Sequence, residues 1–358
     1  MPMRRQLDRW LLGATLVTAC FGVVMVASAS APLAREYYRV GESEFAVRQA
    51  VAVLLGGFGL LAATFVPLDR LLSRRLALAL LALVWLALGI ALLQPRIAGT
   101  HRWLQLPIGS IQPSALAKVA LPLALAAWLG GRPREERRPE TVWRVGLALA
   151  SVTVVLVLVA PDLGSAVLVL AGAGAILFVA GMPWRNVVAL GGVALLLVAV
   201  AVVATPYRME RVRAYFGTTS YQVHQSLIAL GGGGVLGRGP GQSVQKLFYL
   251  PQPHSDFIFA IVGEELGLVG ALAVLTLLGV IAARGFLAAR RAVTPAHAFL
   301  ACGLATTLAV QTLLNASVCL NLLPAKGLPL PLVSAGGSDV MMTMVAVGLL
   351  LNVAKEGM

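Results

Sequence analysis

Asp256 stands where the polar stretch His254-Ser255-Asp256 meets an apolar run that opens at Phe257. A carboxylate at such a junction has two readings. It can cap the helix that follows, since an acid accepts from the free N–H groups and suits that end of the dipole. It can also take a proton from a ligand hydroxyl as a general base. Glu264 and Glu265 come eight and nine residues later, ~12 Å further along a continuous helix. Acids within an apolar run line a wet cavity or pair with a base. Lys118 closes the stretch Gln112-Pro113-Ser114-Ala115-Leu116-Ala117-Lys118, with Pro113 in the first turn of a helix, where proline is tolerated. Its ammonium has three open fates: snorkelling outward, holding an acid, or holding a phosphate. Asp162, in the turn Pro161-Asp162-Leu163-Gly164, suits a cap or a ligand contact. Lys326 lies in the proline-stiffened segment Leu323 to Pro331, after which Ser334-Ala335-Gly336-Gly337-Ser338-Asp339 opens another helix. A start made of small residues presents N–H groups to an anion.

The scaffold that must position these groups follows from composition. Of the 358 residues, 59% are hydrophobic and 12% charged, with 28 Lys and Arg against 15 Asp and Glu and a net charge of +13. A soluble chain carries roughly 25% charged residues, so a water-soluble enzyme, a disordered chain and a disulfide scaffold are excluded. The basic residues fall in short clusters between apolar runs, so a nucleic-acid-binding face is excluded too. Cys20, Cys302 and Cys319 lie inside apolar segments without metal-ligand spacing and read as small core residues.

Ten runs of spanning length occur, near 10–29, 47–66, 76–93, 113–130, 143–160, 163–181, 186–204, 262–283, 296–319 and 336–354. They are too long for barrel strands, and backbone satisfaction excludes an open sheet in lipid. The expected fold is an all-α polytopic membrane bundle of about ten helices, one domain over 1–358. With the N-terminus inside, sixteen of the 28 basic residues, Arg4, Arg5, Arg9, Arg70, Arg74, Arg75, Arg132, Arg134, Arg137, Arg138, Arg144, Arg185, Arg284, Arg290, Arg291 and Lys355, face the cytoplasm. Both termini are therefore placed there. Ala27-Ser28-Ala29-Ser30-Ala31 imitates a signal-peptide cleavage site, but the run from Trp10 to Ala27 exceeds the usual core of a signal, which favours a retained first helix.

One long extracellular connection, about 205–256, separates helices 7 and 8. It carries Arg208, Arg211, Arg213, Arg238 and Lys246 against Glu210 and Asp256. Its positive balance fits an anionic ligand or anionic lipid headgroups. The glycine-rich stretch Gly231 to Gly241 lacks the strand before it and the helix after it that a dinucleotide loop needs. It reads as turned backbone lying against a ligand.

Several stretches together resemble the SEDS family, the shape, elongation, division and sporulation proteins: Arg102-Trp103 with Gln112-Pro113-Ser114, Pro161 to Ser165, Gln225-Ser226-Leu227-Ile228-Ala229, His254 to Ala260 with Glu264-Glu265-Leu266-Gly267, and the Leu323 to Ser338 loop. Gly241 to Pro251 and Pro324 to Gly327 are more similar to division members than to elongation members. The resemblance implies ten membrane helices in the bacterial cytoplasmic membrane and the polymerisation of lipid II. In that reaction an acceptor GlcNAc hydroxyl attacks the anomeric carbon of a donor MurNAc and undecaprenyl pyrophosphate departs with inversion. Asp256 matches the position of the expected base. Arg102, Lys118, Lys246 and Lys326 become candidates for the pyrophosphate or sugars, Gln225, His254, Ser334 and Ser338 complete the substrate-binding set, and Asp162, Glu264 and Glu265 are secondary. No cofactor is firmly implied. A divalent cation, Mg2+ or Mn2+, would make Asp256 a ligand instead of the base. A class B penicillin-binding protein and other division or elongation proteins are the implied partners, and a lipid II flippase is the competing class. The chain departs from the family's usual Glu at Ala115, aromatic at Ala335 and Ser at Asp339. Loss of the Glu shifts any acid partner of Lys118 elsewhere.

Overall fold

The structure, a computed structural model, describes residues 7–95, 100–107, 109–131, 139–186, 188–189, 191–192, 203, 209, 220–324 and 327–357. Leucine, valine and alanine fill runs that satisfy their own backbone only as helices in an apolar medium. They give α1 (Arg9–Glu36), α2 (Glu44–Phe65), the single turn α3 (Leu68–Leu71), α4 (Arg74–Leu93), α5 (Pro113–Gly130), α6 (Pro139–Val159) and α7 (Leu163–Val179). After the long connection come α8 (Tyr221–Gly233), α9 (Ile258–Arg291), α10 (Pro295–Cys319) and α11 (Gly337–Glu356). Seven helices, α1, α2, α4, α5, α9, α10 and α11, are long and apolar enough to cross a membrane. α7 and the 144–159 part of α6 are shorter apolar helices. Nine of the ten expected spans thus coincide with described helices, and the seventh, 186–204, falls almost wholly outside the described residues.

Helix α5 is the hub. All of its residues except Leu116, Trp128 and Gly130 are buried, and it packs against α4, α6, α7, α10 and α11. The most intimate pair is α2 with α11. A Cβ on Gly348 would lie 2.4 Å from the Leu60 carbonyl oxygen, so only glycine lets the two backbones meet. Asn352 Nδ2 fastens the same pair by donating to the carbonyls of Ala63 at 2.9 Å and Val66 at 2.7 Å. At the end of the bundle that holds both termini, Asp8 caps α1 through the Trp10 and Leu11 N–H groups, both at 3.1 Å, and pairs with Arg284 of α9 at 2.6 Å.

Two helices extend beyond the expected runs, and a short hairpin connects α4 and α5. Helix α1 runs to Glu36 and α9 opens at Ile258, both longer than their apolar cores. The residues resembling a cleavage site are inner turns of α1, with Ala29 and Ser30 fully buried. A two-stranded antiparallel hairpin, β1 (Leu104–Leu106) with β2 (Gly109–Ile111), pairs Leu104 with Ile111 between α4 and α5. Its strands are partly or fully exposed, and each supplies the other's backbone partners, so it does not need the closure that a sheet in lipid would.

The glycine-rich stretch lies against helix α9. Gly267 breaks α9 with φ 67° and ψ −166°, and the carbonyls of Gly234 and Val235 accept from the N–H groups of Leu268 and Val269 at 2.9 and 3.2 Å. In return Arg238 and Gly239 donate to the carbonyls of Glu264 and Glu265, both at 3.0 Å. The kink frees those helical groups and the glycine strap satisfies them. Gly237 has φ 82°, and a Cβ there would sit 2.2 Å from the Glu265 oxygen. Gly237→Ala is therefore expected to lower stability by at least about 1–3 kcal/mol. Gly231→Ala, on an open face of α8 with nothing within 4 Å of the new methyl, should raise it by about 0.5–1 kcal/mol. Melting temperatures of the two variants in one detergent check the opposite signs.

Candidate functional site

At the end of the bundle away from the termini, the segment before α9 is held by its carbonyls. The His254 carbonyl accepts from the Ala335 N–H at 2.8 Å, the Ser255 carbonyl from Ser334 Oγ at 2.5 Å, and the Asp256 carbonyl from Asn315 Nδ2 at 2.9 Å. Asn315 also donates to the Leu328 carbonyl at 2.7 Å, and Ser334 accepts from the Leu330 N–H at 2.7 Å, so the α10–α11 connection grips this segment from both sides. Three consecutive residues are thereby fixed through backbone. Asp256 itself is half-buried. Its carboxylate faces Gly327, where an added Cβ would stand 3.2 Å from Oδ2. Phe257 occupies the N-cap of α9, with no side-chain cap bond, so the capping reading of Asp256 is not realised.

Glu264 and Glu265 are buried and engaged, whereas Glu36 and Glu42 at this end are exposed and Glu44 is partly exposed. Glu264 accepts from Ser243 Oγ at 2.5 Å and from the N–H groups of Val244 and Gln245 at 3.1 and 3.2 Å, with Arg238 at 3.6 Å. Glu265 accepts from Ser28 Oγ at 2.7 Å, the Gly241 N–H at 2.9 Å and Lys246 Nζ at 2.8 Å. Lys246 also donates to Ser28 Oγ and the Gly241 carbonyl. Expected as a pyrophosphate ligand, Lys246 is instead the buried centre of a clasp joining the loop to α1 and α9. Glu264 and Glu265 likewise organise the loop.

Asp162 realises its capping reading and also ties two helices together. Oδ1 caps α7 through the Ser165 N–H at 3.1 Å, while Oδ2 accepts from Gln112 Nε2 at 2.8 Å and Ser114 Oγ at 2.7 Å, tying α7 to the start of α5. Arg102 donates to the adjacent Pro161 carbonyl. Ser338 Oγ accepts from the Gln112 N–H at 3.0 Å, so Ser338, like Ser334, is spent on joining chain segments. Lys118 does not snorkel: it is buried and ion-paired with Asp339, with Gln311 Oε1 at 3.0 Å. Two departures from the family pattern, Ala115 and Asp339, thus concern the same ammonium. Gln225 is half-buried on α8 beside Ser226, which anchors that helix to the Cys319 carbonyl at 2.9 Å. Lys326 lies outside the described residues, as do Arg208, Glu210, Arg211 and Arg213.

Asn315, Gln311, Asn352 and Gln49 went unnoticed in the sequence, although an amide inside an apolar helix is itself a signal. Gln49 Nε2 donates to the Ser334 carbonyl at 3.0 Å, completing the grip on the Asp256 segment. Among the described residues no three His, Cys, Asp or Glu gather as a metal cage.

Comparison with known proteins agrees with this arrangement. The FTSW_RODA_SPOVE family model, described as cell cycle protein, matches residues 9–357. A protein of Geobacter sulfurreducens named probable peptidoglycan glycosyltransferase FtsW is 39% identical over 359 residues, covering 98% of this chain and 95% of its own. One of the same name from Thioalkalivibrio sulfidiphilus is 39% identical over 369 residues, covering 99% and 91%. A solved chain from a study of a peptidoglycan synthase complex that coordinates polymerization and crosslinking superposes with TM-score 0.79 at 31% identity, over 98% of both chains. The rod shape determining protein RodA of Thermus thermophilus gives TM-score 0.72 at 30% identity, over 97% of this chain and 96% of its own. The chain is accordingly a multi-pass helical membrane protein of the kind the sequence implied.

His254 gives the site a measurable acid response. Its ring is buried, tilted against Phe45 at 4.9 Å between centroids, and burial pushes its pKa down from 6.5 to about 4. The unfolded chain therefore takes up this proton first, so the stability contribution is complete above pH 6.5 and is lost as pH falls toward 4. His254→Phe keeps an aromatic ring beside Phe45 and should remove on the order of 3 kcal/mol of acid destabilisation. Melting at pH 7 and pH 4.5 checks it, and an equal drop in parent and variant would refute it.

Proposed function

This chain belongs to the FTSW_RODA_SPOVE family of cell cycle proteins, and from that membership we propose that it polymerises lipid II into β-1,4 glycan at the outer face of the bacterial cytoplasmic membrane, for septal wall synthesis. The observation that carries the reading is the contrast among acids. Asp162, Glu264, Glu265 and Asp339 are buried within hydrogen bonds and ion pairs, whereas Asp256 is half-buried on a segment clamped through its own backbone. A base must meet its substrate hydroxyl in fixed geometry, and the backbone clamp on residues 254–256 supports that role for Asp256.

In this reading Asp256 takes the proton from the acceptor hydroxyl as oxygen attacks the donor's anomeric carbon, and the bond to undecaprenyl pyrophosphate breaks on the opposite face. One displacement inverts the α-linked donor to a β link without an enzyme-bound intermediate. Arg102, Lys118 and Lys326 supply positive charge toward the departing pyrophosphate. In the alternative arrangement a divalent cation, Mg2+ or Mn2+, would be held by Asp256 and substrate phosphate oxygens, with Asp256 a ligand instead of the base, and would neutralise the leaving charge. The terminal end of the bundle carries Arg9, Arg70, Arg74, Arg75, Arg284, Arg290, Arg291 and Lys355, which by the positive-inside rule supports cytoplasmic termini and an outer Asp256. The likeness to a chain from a synthase complex supports a class B penicillin-binding protein as the partner that cross-links the product.

The purified complex with that partner, supplied with labelled lipid II, should yield glycan, and Asp256→Asn should lower the rate by about 10²–10⁴-fold. A folded parent complex that makes no polymer, or one that only moves lipid II across a vesicle membrane, would sink the reading. So would an Asp256→Asn variant of undiminished rate.

A further inference from the structure

Lys118, on the hub helix α5, is an ammonium only 6% exposed. Its acid, Asp339, comes from the first turn of α11. Gln311 of α10 touches both: Oε1 accepts from Lys118 Nζ at 3.0 Å, and Nε2 donates to Asp339 Oδ2 at 2.9 Å and to the Pro329 carbonyl at 2.9 Å. That arrangement has one sense only, because turning the amide over would aim its donors at the ammonium. Three helices therefore meet in a closed polar triangle. It borders a cleft whose other walls are mostly apolar, among them Val119, Leu308, Met342 and Ala346, with the hydroxyl residues Thr307 and Thr343 between them.

An ammonium in such surroundings stays charged only beside a carboxylate. Two backbone positions offer one. Residue 339 reaches Lys118 across the interface from α11. Residue 115 stands three places earlier on α5, on the same face of the helix, and Ala115 lines the same cleft, so a longer side chain there points toward Lys118.

We propose that Asp339 is a positioning residue that holds the Lys118 ammonium charged and fixed at the mouth of this cleft, and that position 115 is an interchangeable seat for the acid. The inference rests on the glycan-polymerising reading for its functional readout, and on the ion pair for its structural one. The acid acts through Lys118 and need not touch substrate; what matters is that one carboxylate, from either helix, lies beside the ammonium. Asp339→Asn keeps the shape and removes the charge, and Ala115→Glu returns the charge from the other side.

The test uses the complex with its transpeptidase partner and labelled lipid II, comparing parent, D339N, A115E/D339N, K118M and K118M/D339N, each also melted in detergent. D339N should lose about a hundredfold in rate, and A115E/D339N should return to within about threefold of the parent. In the K118M background D339N should cost nothing further, which a purely structural acid would not predict. D339N at the parental rate, or a folded A115E/D339N as slow as D339N, overturns the assignment. If the parent complex makes no polymer, the glycan reading falls and melting decides the pair. A lower Tm for D339N that Ala115→Glu restores then upholds it, and an unchanged Tm overturns it.

Discussion

A charge placed in an apolar interior has to be met by an opposite charge or by several donors, and this constraint organises the bundle. Four of the buried acids join elements that are distant in sequence: Asp8 joins α1 to α9 through Arg284, Asp162 joins α7 to α5, Asp339 joins α11 to α5 through Lys118, and Glu265 joins α9 to α1 and the long loop through Ser28 and Lys246. Apolar helix faces alone would not select these partners, since lipid tails are as apolar as leucine. The ionic and polar contacts give register to packing that would otherwise be permissive.

Interrupted backbone creates the second demand. Where α9 breaks at Gly267, and where α10 ends before the Leu328 to Ser334 loop, helical partners run out and other groups must replace them. At the break, the glycine strap from Gly234 to Gly239 supplies carbonyls and N–H groups at a distance that no Cβ would allow. At the loop, Asn315, Gln311 and Gln49 reach out from helices to the carbonyls of Asp256, Leu328, Pro329 and Ser334. The same bonds that satisfy the loop immobilise the segment carrying Asp256. Satisfying the loop backbone and fixing the Asp256 segment are one arrangement.

The helices were legible because their signal is local: twenty apolar residues in a row have few other solutions. The turn at Asp162 was legible for the same reason, because a cap is satisfied within three residues. Asp256 was legible as an acid at a boundary, though its two readings separated only once Phe257 proved to be the N-cap. Lys246 misled, because a lysine in a positive loop looks like an anion site until Glu265 is found beneath it. The hairpin at Leu104 to Ile111 was hidden by its brevity.

By itself the sequence determined an α-helical membrane bundle, its helix positions, the end at which its uncommon polar groups collect and, through several motifs in order, its family. Each depends on composition or on spacing within one segment. Only the tertiary structure decided which charges are spent on holding the chain together. Lys118 lies 221 residues from Asp339, and Ser28 lies 237 from Glu265; no periodicity encodes such pairings. They come from helix packing and from the cost of leaving a buried charge unmet.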